Sequence, residues 1–364
     1  MRAPIMNKQK GLSLVELMIA ITLGLILMTG VMQVFLSSKT VYSTQQALSR
    51  IQETGRLAVE FMARDIRMAG YMGCASRTAG MVVTNTLNNP SKYQYDFTTA
   101  LMGYTAETLP ADHGLTPLPT ANTDLFVLRG AFGSGVQVVQ NNNGGQVNVT
   151  ITTEEPGACA DGSTRISGLC ENDILVVSDC SKARVFQATN LTKTGGGSIA
   201  GTVNVVHAAT GTPGNAVNNW GGSSGPESER FRNGSEVLFA TTMTYFIGKG
   251  TSGRPSLWQN INGVNLELLE GVEDMSVKYG VDSDEDYVPN EYLPAAKLSA
   301  TDWNKVIALR VELLVASVED GVLPESQTYQ FPTDEDPALS TVNPTDKRLR
   351  QVFTTTVGIR SRSF

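Results

Sequence analysis

A run of 25 residues from Leu12 to Leu36 carries a single charge, Glu16, contains no proline, and follows directly on the basic stretch Lys8-Gln9-Lys10-Gly11. At about 1.5 Å per residue, a helix of roughly 20 residues crosses the hydrocarbon core of a bilayer, so the run is long enough to span one. Lys8 and Lys10 place the N-terminus in the cytoplasm by the positive-inside rule, which leaves everything after Lys39 on the far side. A carboxylate at membrane depth costs about 2.5 to 3.5 kcal/mol on insertion scales, so Glu16 requires a functional reason and a partner.

Three readings of this N-terminus compete. A cleaved secretory signal peptide has a shorter apolar core, ends in an A-x-A-like site that is not evident here, and has no use for Glu16. A simple uncleaved anchor also leaves the acid without a purpose. Cleavage on the cytoplasmic side, between Gly11 and Leu12, would free an α-ammonium four residues before Glu16 and supply the missing counter-charge.

The segment Lys10-Gly11-Leu12-Ser13-Leu14-Val15-Glu16-Leu17-Met18-Ile19 resembles the class III signal of type IV pilins and type II secretion pseudopilins. In that family a membrane-embedded prepilin peptidase cuts after the glycine and N-methylates the new first residue, commonly Phe and here Leu12. A residue without Cβ at Gly11 permits the close backbone approach such a peptidase needs. The resemblance implies that Glu16, the fifth mature residue, pairs with the N-terminal amine of a neighbouring subunit during assembly. Methylation keeps the positive charge, and a carboxylate and an ammonium desolvated together lose less than either alone.

The helical pattern continues past the membrane. Val41, Leu48, Ile51, Ala58, Met62 and Ile66 recur at three-and-four spacing or its multiples, and no proline stands between Leu12 and Asn89. One helix of about 55 to 60 residues accounts for this, with Arg50, Glu53, Arg56, Glu60, Arg64, Asp65 and Arg67 set among the apolar stripe of its second half. An independent coiled coil is the alternative, against which the irregular heptad argues. Gly70-Tyr71-Met72-Gly73 ends the pattern, glycine being suited to a left-handed C-cap.

Beyond the helix, Asp124 to Leu128, Val147 to Ile151, Ile174 to Val177, Val203 to His207, Val237 to Ile247, Met275 to Val281, Val306 to Ser317 and Val352 to Ile359 read as strands. A long helix followed by runs of strands predicts an α+β fold, the helix packed on antiparallel sheet. The expected organisation is a leader over residues 1–11, a transmembrane helix over 12–36, its amphipathic continuation over 37–72 and a β-rich head over 73–364. The size of that head makes two sheets or lobes plausible. Gly, Asn, Ser and Thr crowd residues 140–146 and 192–234, predicting loops or an insertion with few core contacts.

Cys74, Cys159, Cys170 and Cys180 all lie on the exported side, where oxidising conditions favour disulfides. Three connectivities are possible. The favoured one joins Cys159 to Cys170 across a short loop and Cys74 to Cys180, tying the helix end to the strand from Ile174. A zinc site is the rival, without a C-x-x-C pair or an adjacent histidine to support it.

Little else suggests catalysis. His113 and His207 give scant material for a triad and read as solvated-loop or strand-edge residues, so no enzyme is expected. Gly248-Lys249-Gly250-Thr251 lacks the full phosphate-loop spacing and reads as a hairpin turn. Asp282, Asp284 and Asp286 stand at alternate positions and could converge on calcium. Tyr287 occupies the place where an EF-hand has glycine and no glutamate stands at the twelfth position, so a solvated acidic loop is the competing reading. No other cofactor is implied. Removal of residues 1–11 leaves 25 basic residues against 35 acidic, a formal −10. That balance argues against nucleic acid as a partner. The basic tail Lys347, Arg348, Arg350, Arg360 and Arg362 reads as strand-flanking charge first and as a partner contact second.

Several segments resemble the PilW family of minor pilins: Arg67 to Cys74 after the helix, Asp179-Cys180, Leu269-Glu270-Gly271-Val272-Glu273 before Tyr279-Gly280-Val281-Asp282, and the ending from Arg348 to Val357. Endings of that family often read Arg-Asn-Arg, and Ser361 replaces the Asn here. The resemblance implies a low-abundance subunit that joins other minor pilins in a tip complex, primes pilus assembly and helps carry a PilY-type adhesin. It also implies contact with the major pilin, the prepilin peptidase and the inner-membrane assembly platform, with the head in the periplasm before assembly and outside the cell afterwards. Twitching motility and adhesion would follow. The J-class minor pseudopilin of type II secretion shares the helix, the Glu16 logic and a β-rich head. A pilus-tip adhesin with its own ligand is the reading from another class, with an exposed Trp220 and the Gly-rich loops as its candidate contacts.

Overall fold

The computed structural model describes residue 11 and residues 13–74, 82–151, 158–194, 201–222 and 225–362. Helix α1 (Leu14–Arg67) runs 54 residues without interruption, about 80 Å at helical rise. Its surroundings divide it in two. Every described residue from Gly11 to Ser43 is exposed, including Leu14, Ile26 and Phe35. From Thr44 the helix meets the head: the Thr44 hydroxyl donates to the Val322 carbonyl at 3.2 Å, and Arg50 pairs with Glu319 at 3.0 Å.

Ile51, Ala58, Met62 and Ile66 are buried on one stripe, as three-and-four spacing dictates. Val41 keeps the same period yet is exposed, because the head reaches the helix only from Thr44; Leu48 is exposed although its neighbour Ala47 is buried. The helix ends at Arg67, short of the residue 72 expected. Gly70 takes φ +74° and donates its N–H to the Arg129 carbonyl at 2.8 Å, which turns the chain off the helix axis. Met72 then enters the core of the head instead of continuing a helix.

Strands β1 (Val82–Asn85), β2 (Leu101–Thr105), β3 (Asp124–Asn143), β4 (Gln146–Thr150), β5 (Ile174–Asp179) and β6 (Lys182–Gln187) come first. They are followed by β7 (Asn190–Lys193), β8 (Thr202–Val206), β9 (Glu236–Lys249), β10 (Pro255–Ile261) and β11 (Val264–Glu270). These eleven make one sheet. Then come β12 (Val272–Val281), β13 (Glu291–Pro294), β14 (Val306–Ala316), β15 (Tyr329–Gln330), β16 (Thr341–Val342) and β17 (Arg350–Gly358), with the single-turn helix α2 (Pro337–Ser340) before β16. A second, antiparallel sheet has the order β13-β12-β14-β17, and β15 pairs with β16 apart from both.

The two longest strands organise the head. β3 and β9 pair from Phe126 opposite Tyr245 to Gln137 opposite Glu236, with a register shift between Gly133 and Val136 that bends the pair. At one end β2 joins β3, and β10 and β11 extend from β9. At the other end β5, β6 and β1 extend from β9, while β4, β8 and β7 extend from β3. Pairing is antiparallel throughout except between β1 and β6.

One core lies where α1 packs on the four-stranded sheet, uniting Ile51, Met62 and Ile66 with Val277, Leu309 and Leu313. A second fills the far lobe, with Val138, Val147, Phe186, Val205, Trp220 and Phe231. The pilin-like α+β arrangement is thus a long helix seated on one sheet, with a larger sheet beside it.

Two expectations about loops are corrected. β3 runs through the asparagines to Asn143, and only Gly144 and Gly145 form the turn to β4. Ladder pairing with β4 outweighs the low strand propensity of asparagine there. The stretch 192–234 contains β8 and supplies Val203, Val205, Trp220 and Phe231 to the far core, so it is no insertion with few contacts. Gly195 to Gly197, Ser223 and Ser224 lie outside the described residues.

Candidate functional site

Glu16 lies in the first turn of α1, exposed, three residues after the N-cap Ser13. Ser13 has extended backbone (φ −71°, ψ 145°), and its carbonyl accepts the Leu17 N–H at 3.1 Å. An acid in this turn faces the positive end of the helix dipole. Gly11 is exposed with open space where a Cβ would stand. Leu12 lies outside the described residues, as do Lys8 and Lys10. The helix is long and apolar enough to cross a membrane, and no described residue of the head covers its first half. A surface apolar on every side can be satisfied only by lipid or by other apolar helices.

The upper half of α1 sits in a seat built by the four-stranded sheet and β9–β10. Gly55 faces β17, and the Phe353 ring occupies the space a Cβ would need. One turn from the helix end, Asp65 is buried although it carries a carboxylate. Its Oδ2 accepts from the Tyr245 hydroxyl at 2.6 Å and from Gln259 Nε2 at 3.0 Å, while Arg64 Nε lies 3.3 Å from Oδ1. Burial and the neighbouring Asp65 carboxylate push the Tyr245 pKa well above that of a free tyrosine, so Tyr245 remains a hydroxyl donor. Sequence reading placed Asp65 among the charges of the polar face. The available signal was its position three residues after Met62 and next to Ile66, inside the apolar stripe.

Of the C-terminal basic residues, Arg348, Arg350 and Arg362 are internal fastenings, while Lys347 and Arg360 are exposed. Ser361 donates its hydroxyl to the Ala69 carbonyl at 2.6 Å, fastening the turn that follows α1. Arg362 is buried, and its Nη1 donates to the Trp303 and Val306 carbonyls at 2.7 and 2.6 Å. Arg350 reaches Glu273 with Nε (2.6 Å) and Asp346 with Nη1 (2.6 Å), and Arg348 lies 3.5 Å from the same Glu273. Hydrogen bonds from Arg350 hold the Asp346 pKa down to about 2. Gly271 turns the chain from β11 into β12 at φ +89°, where a Cβ would stand 2.9 Å from the Ala316 carbonyl.

Both disulfides are closed. Cys74 is bonded to Cys180, with Cα atoms 5.1 Å apart, and Cys159 to Cys170, with Cα atoms 5.8 Å apart. The first joins the chain just beyond α1 to the turn between β5 and β6. No free cysteine remains for a metal.

Asp282, Asp284 and Asp286 come together, one oxygen from each lying within 4.8 Å of the others. Asp282 is buried and spends both oxygens on the loop itself: Oδ1 accepts the Glu285 N–H at 2.7 Å and Oδ2 the Tyr287 N–H at 2.9 Å. Asp284 accepts from Asn290 Nδ2 at 3.2 Å and Asp286 from the Val288 N–H at 2.8 Å. Tyr287 takes φ +66°, the conformation glycine would favour at that place. The loop is closed by its own carboxylates.

Two single residues are corrected. Trp220 is 1% exposed and cannot be a surface contact. Its ring stacks on His207 at 4.1 Å between centroids and lies under the Arg184 guanidinium. His207 is fully buried rather than at a solvated edge, and burial lowers its pKa to about 4, so it is neutral at ordinary pH. His113 is half-buried in a loop, its Nδ1 accepting the Leu115 N–H at 2.8 Å. Gly248 to Thr251 carry the chain from β9 into the turn before β10, where Glu267 Oε2 accepts the Thr251 N–H at 2.9 Å.

Residues 6–32 match the family model of the prokaryotic N-terminal methylation motif, and residues 244–361 match that of type IV pilus-assembly protein W. No curated protein and no solved structure matches the chain. The first matched segment contains Gly11 and Glu16. The second contains Tyr245, Gln259, Gly271, Glu273, Arg350, Phe353 and Ser361, the residues that seat α1 and brace the small sheet. Together with the pilin-like α+β fold, the two matches support a type IV pilus-related minor pilin anchored at the membrane by α1.

Proposed function

We propose that this protein is a minor pilin that primes type IV pilus assembly and takes its place in the tip complex. The observation that carries the reading is Glu16 in the first turn of a helix whose apolar surface is bare from Leu14 to Ser43. Prepilin peptidase cuts between Gly11 and Leu12 and methylates the new amine. Glu16 then docks the amine of an adjacent subunit, and the bare helix exchanges lipid for the helices of its neighbours. Other minor pilins, the major pilin and the inner-membrane assembly platform are the partners, with a PilY-type adhesin carried at the tip.

A tip position suits the head. Subunits that repeat along a shaft must pack head to head, and a head with a far lobe of its own obstructs that packing. A terminal subunit meets fewer neighbours. The match to the pilus-assembly family favours this reading over the J-class pseudopilin of type II secretion. No catalytic chemistry and no resident cofactor enter it, and the loop of Asp282 acts as a self-closed acidic turn. Calcium added to the full chain is accordingly expected to leave its melting temperature unchanged.

The test is Glu16→Ala. Export and leader cleavage should proceed, while surface pili and twitching fall because the subunit no longer enters the tip complex. Normal incorporation of that variant would sink the assignment. Deletion of the gene should abolish pili with protein secretion intact; the reverse would select the type II secretion reading.

A further inference from the structure

A buried amide, Gln187, fastens together two loops that are distant in sequence. Its Nε2 donates to the Thr212 carbonyl at 2.8 Å and to the Asn172 carbonyl at 3.3 Å, and its Oε1 accepts the Gly214 N–H at 2.7 Å. Asn215 closes the network from behind. Its Oδ1 accepts the Gln187 N–H at 2.8 Å, and its Nδ2 donates to the carbonyls of Gln187 and Ala208 at 3.0 and 2.8 Å. Gln187 and Asn215 are 0% and 1% exposed, so these bonds operate out of water and hold both loops in one place.

The two clamped residues, Asn172 and Thr212, line a cleft of about 240 Å³ together with Gln94, Tyr95, Asp173 and Pro213. Asn172 is held in the left-handed region at φ +71°, its N–H donating to the Ala188 carbonyl at 2.7 Å. Among the described residues, the side chains of Gln94, Asn172 and Thr212 and the Tyr95 hydroxyl have no protein hydrogen-bond partner. Asp173 commits Oδ2 to the Cys170 N–H at 2.7 Å. No lysine, arginine or histidine lines the cleft. The site is therefore built from a clamped backbone with uncommitted polar groups set around it.

The lining selects among ligand classes. A phosphate or carboxylate would meet Asp173, and the Arg165 cation that acts on that carboxylate does not line the cleft. An acyl chain would strand the amides and hydroxyls without partners. A sugar hydroxyl donates and accepts at once, and amides, hydroxyls and a carboxylate in one small space can satisfy several of them together. The rings of Tyr95 and Pro213 supply apolar surface for the C–H face of a pyranose. We propose that this cleft binds one neutral monosaccharide unit, free or at the end of a glycan. The site is separate from α1 and does not depend on the pilus reading.

The test uses the full chain in a zwitterionic detergent without sugar headgroups. Glucose, galactose, mannose, N-acetylglucosamine and N-acetylgalactosamine are offered free and coupled to a polyacrylamide carrier, and binding is read by saturation-transfer NMR. At least one sugar should bind saturably with a dissociation constant on the order of 1 mM. Displacement of the carrier form by the free sugar supports recognition of the monosaccharide itself, and binding of the carrier form alone supports recognition of a glycan end. Asn172→Gly keeps the left-handed backbone while removing the amide. Combined with Gln94→Ala, it should weaken binding by about tenfold or more with the melting temperature unchanged. No binding of any of the five at about 50 mM, or undiminished binding by the double variant, would overturn the proposal.

Discussion

The ring of Phe353 in β17 rests on the bare backbone of Gly55 in α1, at a point where any Cβ would overlap it. Glycine inside a helix costs about 1 kcal/mol relative to alanine, so α1 accepts weaker local structure to let the edge strand approach. Gly55→Ala should therefore lower stability to chemical denaturation by about 1 to 2 kcal/mol, the steric conflict outweighing the gain in helix propensity. Pairing it with Phe353→Leu should recover part of the loss. A single variant more stable than the parent would mean that the ring swings aside freely.

Asp65 is tolerated inside the helix seat because Tyr245 and Gln259 both donate to its Oδ2. Tyr245→Phe preserves the ring and its stacking on Phe126 at 5.3 Å, and removes only the hydroxyl. The expected cost is about 1 to 3 kcal/mol for an under-satisfied buried carboxylate. Asp65→Asn should restore much of it in the Tyr245→Phe background. A combined loss smaller than that of Tyr245→Phe alone, measured in a double-mutant cycle, would establish the coupling, and a simple sum of the two single losses would refute it.

Asp274 lies at a register shift in β12, and burial, followed by the charges of Asp124 and Glu273, raises its pKa to about 7. A carboxyl whose folded pKa exceeds its unfolded value stabilises the fold in its protonated form. That contribution is whole below the unfolded value of 3.8 and fades as pH rises through about 7. The head should lose roughly 2 to 4 kcal/mol between pH 4 and 8 from this group. Asp274→Asn, which still accepts the Met275 N–H, should flatten the thermal-melt profile over that window. An unchanged slope would assign the pH dependence elsewhere.

The two disulfides should differ in what they contribute. Cys74–Cys180 joins residues 106 apart and Cys159–Cys170 residues 11 apart. Loop-closure entropy assigns about 4 to 5 kcal/mol to the first and roughly 3 to the second. Replacing each pair by serine and comparing urea midpoints should show the larger loss for the long loop. The short loop's removal should disturb the far lobe while leaving the seat of α1 intact, which hydrogen exchange can resolve.

Much of the helix was legible because its signals are local. Three-and-four spacing, the absence of proline and the glycine at position 70 specify α1 to within a few residues at its C-terminal end. Apolar runs likewise marked eight strands, among them β3, β9, β12 and β14. Strands such as β6 and β10 escaped notice because polar residues interrupt their apolar runs, while β11 was missed although Val264, Leu266 and Leu268 alternate with polar residues as a strand does. Trp220 illustrates the opposite error. Its glycine-rich neighbours suggested a surface loop, yet those glycines let the chain fold back and carry the indole into the far core.

What the sequence determined by itself was the long helix, its apolar first half, the acid at Glu16 and the α+β class, since each follows from spacing and charge along a continuous segment. Which residues hold that helix was decided only in three dimensions. Gly55 and Phe353, Asp65 and Tyr245, and Ala69 and Ser361 are separated by about 180 to 300 positions in the chain. The clamp of Gln187 spans less, 15 residues to Asn172 and 25 to Thr212, yet it too forms only once those loops are folded onto each other. Burial changes what these side chains do: a carboxylate becomes an anchor, an arginine a backbone fastening and an amide a clamp. That change depends on exclusion of water by distant segments, which no local pattern encodes.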